Sequence, residues 1–490
     1  MPIAGEVDRF RDAAVLVELL GDWTAARGPL YRRLGAALER AVCDGDLRPG
    51  DRLPAERRLA RTLAVSRSTV VAAYDLLRGL GLARGIRGSG TVIEAHPRAR
   101  RTAGADGRVP GGRATSVIQR LVDGPGDIIS LAYAVDPGVL ELADALRDLV
   151  RDDLPGLLAG AGYHPRGLPV LRQAIAAYHT ARGLPTSGEQ VLVTTGATQA
   201  ISLAARMYLG RGATVVVESP SWPGCLDVLR DARARLVGVP LDDEGIRVDG
   251  LARALAEERP ALLYVMPTFH NPTGVLMSAG RRRRIAELAA RYGVPLLEDN
   301  AYGATQRIGE VPPPVAAWAP PGAEILTVES LGKAIWGGLR IGWVRAPAAT
   351  VERLARHKAL ADLGGPLLDQ ALAARLLPEL PALNATRAEV LSDRLRLVRA
   401  LLARHLPDWR CATPDGGAAL WIDLPGTDAR VFAQVALRHG VEVVPGATMD
   451  PEGRHDSYIR LPYAFPADLL TEAVHRLAAA WAELRRHEGA

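Results

Sequence analysis

Between residues 29 and 43, apolar side chains recur at every fourth position, so Leu30, Leu34, Leu38 and Val42 fall on one face of an expected helix. Pro49-Gly50-Asp51 stops it. A second, shorter helix is expected from Pro54-Ala-Glu-Arg-Arg-Leu, with proline at its beginning and an acid in its first turn. After a sharp turn at Ala64-Val65, Ser66 is placed to cap a third helix from Arg67 to about Leu80, packing Val70, Ala73, Tyr74 and Leu77 inward. Gly81, Gly85, Gly88 and Gly90 then punctuate a β-hairpin ending in Thr91-Val92-Ile93, a wing beside the three helices. From Glu94 to Ser116 the chain is rich in Arg, Gly, Ala and Pro without any apolar period, which predicts a flexible, basic linker. Beyond it the pattern changes. Apolar runs such as Val191-Leu-Val-Thr, Thr214-Val-Val-Val-Glu, Ala261-Leu-Leu-Tyr-Val and Val294-Pro-Leu-Leu-Glu-Asp alternate with helical stretches at 198–209 and 279–292. That alternation predicts an α/β domain with a mostly parallel sheet covered by helices.

A chain of 490 residues, 48% of them hydrophobic, can form about two to four domains. It contains no apolar run of the roughly 18 residues needed to span a membrane, and its first residues lack the basic-then-apolar run of a signal peptide. A cytoplasmic protein without membrane association is expected. Cys43, Cys225 and Cys411 lie far apart, with neither metal-ligand nor disulfide spacing, so no metal site is expected. The formal charge of +5 is modest, but sixteen arginines stand against seven acidic residues between Arg27 and Arg101. This end of the chain is therefore suited to a polyanion. Of 60 basic residues only Lys333 and Lys358 are lysine. Arginine stays protonated and cannot form an imine with an aldehyde, whereas a lysine amine can, so the few surviving lysines call for a chemical explanation.

The segment Leu53-Pro-Ala-Glu-Arg-Arg-Leu-Ala-Arg-Thr-Leu-Ala-Val-Ser-Arg-Ser-Thr-Val, closed by Arg87-Gly-Ser-Gly-Thr-Val, resembles the GntR family of winged helix-turn-helix repressors over residues 29–93. Ser66, Arg67, Ser68 and Thr69 crowd the N-terminal turn of the expected recognition helix, the end that enters the major groove. Hydroxyls and amides there can hold phosphates, and Arg67 can bridge a guanine edge. The resemblance implies that Arg57 also faces double-stranded DNA and that Gly88 lets the wing approach the backbone.

A second constellation lies in the α/β region. Lys333, in Ser330-Leu-Gly-Lys-Ala-Ile-Trp-Gly-Gly-Leu-Arg340, follows the strand Ile325-Leu-Thr-Val, with Ser330 and Arg340 placed to reach one phosphate. Lys358, amid Arg353, Arg356 and His357, reads as a surface lysine. Asp299 ends an apolar strand, where open α/β sheets put ligand-binding residues. Tyr302 follows three residues later, and Asn271 stands in His270-Asn-Pro-Thr-Gly. Gly196, Ala197 and Thr198 form a strand-to-helix turn whose amides can bind phosphate, and Trp222 offers a flat face. Together they supply what pyridoxal 5'-phosphate requires: an imine-forming lysine, an anion at the pyridine nitrogen, donors to the phenolic oxygen, an aromatic face and a phosphate cup.

This order resembles the fold-type I, class I/II aminotransferases over about residues 127–486, and the whole chain resembles the MocR/GabR family of pyridoxal-phosphate-dependent transcription regulators. The resemblance implies that Tyr163 reaches the cofactor phosphate of the other subunit of a homodimer and that Arg460 clamps a substrate α-carboxylate. Gly332 departs from the pattern, replacing the hydroxyl residue common before the lysine. Asp299-Asn-Ala-Tyr302 is closer to true aminotransferases than to many regulators. The expected organisation is an N-terminal extension (1–26), a DNA-binding winged helix-turn-helix (27–93), a linker (94–126) and a cofactor domain (127–490), with a large part at about 160–345 and a smaller α+β part at about 346–490. The expected function is regulation through an amine, an amino acid or the cofactor itself, sensed at Lys333. An active aminotransferase with an appended DNA-binding head is the alternative, with Lys333, Asp299 and Tyr302 as its catalytic residues.

Overall fold

The computed structural model describes residues 9–24, 28–86, 90–94, 128–132, 138–303 and 310–488. Gly88 and almost all of the expected linker lie outside them. The chain divides into two units, one comprising Met1–Ala132, Leu424–Pro445 and Glu472–Ala490, the other Tyr133–Asp423 and Gly446–Thr471.

In the first unit, helices Leu30–Cys43, Glu56–Leu63 and Arg67–Gly79 bury the expected stripes: Leu34, Leu38, Val42, Val70, Ala73, Tyr74 and Leu77 are all core residues. The Ser66 hydroxyl caps the third helix, accepting the Thr69 N–H at 3.2 Å. The second helix ends at Ala64, whose left-handed φ of 50° turns the chain towards that cap. Tyr74 donates to the Pro54 carbonyl at 2.8 Å and so ties the recognition helix to the start of the second helix. The wing pairs Ala83–Ile86 with Gly90–Ile93 in a four-stranded sheet completed by Asp51–Arg52 and Arg9–Phe10. Residues 9–24, outside the segment that the sequence pattern assigns to the winged helix, add the helix Ala13–Leu20 and a fully buried Trp23 to the same core. The buried Asp51 accepts Arg11 at 2.7 Å, which fixes this N-terminal strand. The unit also contains the helix Ala429–Arg438, the part of helix Ala467–Glu488 from Glu472 onward, and a short parallel pair of Ile129–Ser130 with Val441–Glu442.

The second unit is built on an eight-stranded sheet in the order Val191–Thr194, Gly342–Arg345, Ile325–Ser330, Leu296–Asp299, Leu262–Val265, Thr214–Ser219, Arg235–Asp242, Gly245–Ile246. Gly342–Arg345 and Gly245–Ile246 run antiparallel to their neighbours, and the other pairs are parallel. The central strands are buried on both faces, as their unbroken apolar runs require. Helices Ala197–Tyr208 and Ala279–Tyr292 stand where the sequence periodicity puts them. A smaller sheet sets Ala419–Asp423 between Arg410–Cys411 and Tyr458–Pro462. The carboxyl ends of the large sheet's parallel strands, at Ser219, Val265, Asp299 and Ser330, open towards one edge, where a ligand is expected. No helix among the described residues is long and apolar enough to cross a membrane, and none of their His, Cys, Asp and Glu side chains cluster as metal ligands.

Candidate functional site

Asp299 ends its strand 1% exposed, its two oxygens accepting the Tyr264 hydroxyl at 2.8 Å and the Ala301 N–H at 2.9 Å. Both donors are neutral, and burial pushes the carboxyl pKa up despite them. A cationic ring nitrogen opposite Asp299 would favour the charged form against that burial, so the pocket suits a protonated pyridine. Tyr302, 5% exposed, has the Lys333 ammonium 5.7 Å from its ring centroid. Buried Asn271 has an amide oxygen with no hydrogen-bond partner among the described residues.

The residues expected from sequence to hold phosphate form a cradle. Gly196 adopts a φ of 122° just before the helix Ala197–Tyr208, and a Cβ on it would come within 3.1 Å of the Arg340 guanidinium. Gly342 approaches the Gly196 backbone so closely that a Cβ there would stand 2.8 Å from it. Ala197 and Thr198 present first-turn amides at this helix N-terminus. Arg340 donates to the Thr195 carbonyl at 2.6 Å. Ser330 accepts the Gly332 N–H at 3.1 Å and donates to Ile341 at 3.3 Å, so its hydroxyl is fixed at the mouth of the cradle. Trp222 lies folded over Gly224, where any Cβ would fall 2.4 Å from its ring. Arg460 is 3% exposed; burial lowers its pKa, and the nearby Tyr302 opposes that shift. Tyr163 stands apart from these residues in character, being 70% exposed.

Lys358 corrects an expectation. It is not a surface lysine but 1% exposed, paired with Asp362 at 2.8 Å. Asp362 in turn accepts Gln199 at 2.8 Å, and Gln199 accepts the Thr195 N–H at 2.9 Å, so the second lysine braces the back of the phosphate cradle. The four-residue spacing of Lys358 and Asp362 on one helix was legible in the sequence, but the link to Gln199 was not, because it comes from a helix far away in the chain.

A second unforeseen pair is Glu218 and His270, both fully buried, with Glu218 Oε2 accepting the Met266 N–H at 2.6 Å and standing 3.5 Å from His270 Nε2. Burial is the main cause of both shifts. It pushes Glu218 up to about 8 and His270 down to about 3, so the two are neutral near pH 7 rather than an ion pair. A charged residue closing the apolar run Thr214-Val-Val-Val-Glu was the available signal. Native Glu218 keeps a proton that the unfolded chain releases above its ordinary value of 4.5, so this contribution to stability is complete below that value and disappears as pH rises towards 8. Glu218→Gln removes the loss while still accepting the Met266 N–H. Relative to wild type, the variant is expected to gain of the order of 2–4 kcal/mol between about pH 5 and pH 8, measured by urea unfolding of the apoprotein. An identical pH dependence for the two chains would show that Glu218 is ionised when folded.

At the other end of the chain, Ser66, Arg67 and Ser68 are exposed at the N-terminus of the recognition helix, with Thr69 half-buried behind them and Arg57 exposed one helix earlier. Ser66 bonds both Ser68 and Thr69 at 2.8 Å, and Arg67 is held by Glu56 at 2.9 Å.

Residues 160–477 match the family Aminotransferase class I and II, and residues 30–93 match Bacterial regulatory proteins, gntR family. The HTH-type transcriptional regulator YisV of Bacillus subtilis is 32% identical, over 92% of this chain and 96% of its own. The rhizopine catabolism regulatory protein MocR of Rhizobium meliloti is 30% identical over 78% of each chain. Among solved structures, the alpha-aminoadipate aminotransferase LysN of Thermus thermophilus, complexed with N-(5'-phosphopyridoxyl)-L-leucine, has a TM-score of 0.68 at 29% identity, covering 76% of this chain and 95% of that one. Pyridoxal phosphate is the cofactor of this fold, and the buried acid, the lysine and the glycine cradle are suited to it. The chain therefore belongs to the aminotransferase class I and II family, as a MocR-type fusion carrying a gntR-family winged helix-turn-helix ahead of the aminotransferase fold.

Proposed function

We propose that this chain is a transcription regulator whose winged helix-turn-helix binds an operator in double-stranded DNA, and whose binding is changed by an amine, an amino acid or pyridoxal phosphate sensed at Lys333. The observation that carries the reading is the presence, in one chain, of an exposed recognition-helix N-terminus and a full set of cofactor-holding residues. When bound, pyridoxal phosphate supplies an aldehyde that captures amines and a ring that withdraws electrons.

Each residue then has a task. Asp299 holds the proton at the pyridine nitrogen, and Tyr302 and Asn271 donate to the phenolic oxygen. Trp222 covers the ring face, and the amides of Gly196, Ala197 and Thr198, with Ser330 and Arg340, hold the phosphate. Arg460 receives the carboxylate of an amino-acid effector by a bidentate pair. The exposure of Tyr163 supports its use in a homodimer, where it would reach the other subunit's phosphate. On the DNA side, Ser66, Ser68 and Thr69 meet phosphates and Arg67 reads a base edge after exchanging Glu56 for guanine, while Arg57 and the wing glycine Gly88 approach the backbone. A DNA partner supports a cytoplasmic location. The domain organisation read from sequence is carried into this proposal with residues 9–24 joined to the DNA-binding core and with Leu424–Pro445 and Glu472–Ala490 grouped in the same unit as that core.

The Asp299–Tyr264 arrangement and Tyr302 also support a second reading, an active aminotransferase with an appended head. Thermodynamic linkage separates the two. If an effector shifts DNA affinity, DNA must shift effector affinity by the same factor, expected at about 5–150-fold. The measurement is a spectral titration of the holoprotein with each standard L-amino acid and with short alkylamines, with and without a duplex selected by the protein from a randomised pool. Equal affinities in the two arms for every amine that alters the spectrum would favour the enzyme.

A further inference from the structure

Arg438 is the last residue of the helix Ala429–Arg438, and its guanidinium reaches across to the helix-turn-helix. One nitrogen donates to the Leu63 carbonyl at 2.9 Å and the other to the Ala64 carbonyl at 3.1 Å. These carbonyls end the first helix of the motif, where the left-handed turn at Ala64 leaves them without helical partners. A cation at this position satisfies both carbonyls and meets the negative end of the helix dipole. The same guanidinium is held from behind by Glu483 at 2.9 Å, which also accepts His439 at 2.8 Å. One turn earlier on the Arg438 helix, Gln434 accepts the indole N–H of the fully buried Trp23 at 2.8 Å.

The gripped turn is short. Ser66, the cap of the recognition helix, lies two residues past Ala64, so whatever fixes the turn fixes the direction of the recognition helix. A planar guanidinium spreads its donors over separate nitrogens in a fixed fork, so it meets two successive carbonyls and a carboxylate from set directions, whereas a lysine presents one compact ammonium without that preset geometry. Chain connectivity adds a second point. Arg460 lies on the strand Tyr458–Pro462, and only residues 463–466 separate that strand from the helix Ala467–Glu488, which carries Glu483.

We propose that Arg438 is a positioning residue for DNA recognition: it clamps the helix-turn-helix turn to the C-terminal segment, so that the recognition helix is aimed by that segment and not only through the chain between residues 94 and 126. The inference rests on the DNA-binding reading above.

The test uses the full-length holoprotein and Arg438→Met, with two readouts. Amide hydrogen exchange requires no DNA, and over residues 60–68 it is expected to quicken by about tenfold in the variant while residues 30–43 keep wild-type protection. The second readout is spacing discrimination on a two-half-site duplex selected by the wild-type chain from a randomised pool. Inserting about five base pairs, half a helical turn, should weaken wild-type binding strongly, and the variant's penalty should be about tenfold smaller. Should Arg438→Met fail to fold, Gln434→Leu carries the same two expectations at about threefold, because it removes a single hydrogen bond. Unchanged exchange at 60–68 or an unchanged spacing penalty overturns the proposal. Faster exchange throughout residues 30–86 also overturns it, since Arg438 would then merely keep the head folded. If the wild-type chain selects no duplex, the DNA-binding reading falls, and the exchange result alone decides whether Arg438 holds the turn.

Discussion

Replacing Lys333 by alanine will leave a protein that takes up pyridoxal phosphate only weakly and loses the visible band of the wild type. Borohydride treatment of the wild-type holoprotein should fix a pyridoxyl group onto the peptide carrying Lys333, and in Lys333→Ala it should fix none. The expectation is all-or-none because the only other lysine, Lys358, is 1% exposed, held by Asp362, and lies behind the phosphate cradle rather than at the ring end with Asp299 and Tyr302. Peptide mapping after reduction decides the matter. A pyridoxyl group on Lys358, or a normal yield from Lys333→Ala, would remove Lys333 from its assigned role.

Asp299→Asn should separate holding the cofactor from using it. The amide keeps the shape of the site and can still receive the Tyr264 hydroxyl, but it carries no charge to keep a proton on the ring nitrogen. Without that proton the ring withdraws electrons poorly. Amino-group exchange between an L-amino acid and the cofactor should slow by about a hundredfold or more in single-turnover spectra, while cofactor affinity falls far less. Full exchange rates in the variant would mean that another acid serves the ring. Burial raises the Asp299 pKa, and a cationic ring nitrogen opposite it would favour the charged carboxylate, which Asp299→Asn cannot supply.

Much of this arrangement was legible in the sequence because it is written in short-range terms. The helix Leu30–Cys43 follows from a four-residue period, the recognition helix from Ser66 and the stripe behind it, and Asp299 from its place at the end of an apolar run. What escaped the sequence depends on partners distant in the chain. Leu63 and Arg438 are 375 positions apart, and neither is unusual in its own neighbourhood. Lys358 looked solvated because arginines and a histidine surround it in sequence, yet its helix packs that side inward, and its partner Asp362, one turn further along the same helix, is tied to the distant Gln199. Glu218 and His270 each sit in a legible segment, but only burial makes them a neutral pair. The helix Ala13–Leu20 carries its own short-range signals, a stripe of Ala13, Leu16, Val17 and Leu20 between an Asp12 cap and Gly21, but its place in the core is visible only once Trp23 and Arg11 have found their partners.

The burial of Lys358 has one more consequence. The DNA-facing head contains no lysine at all, its positive charge being carried by arginine. Acyl donors that neutralise lysine ammonium groups therefore have nothing to modify on the surface offered to the operator. Electrostatic attraction to DNA is insulated from acetyl-type metabolic signals, and Lys333 is left as the one internal amine of the chain poised to meet a small electrophile.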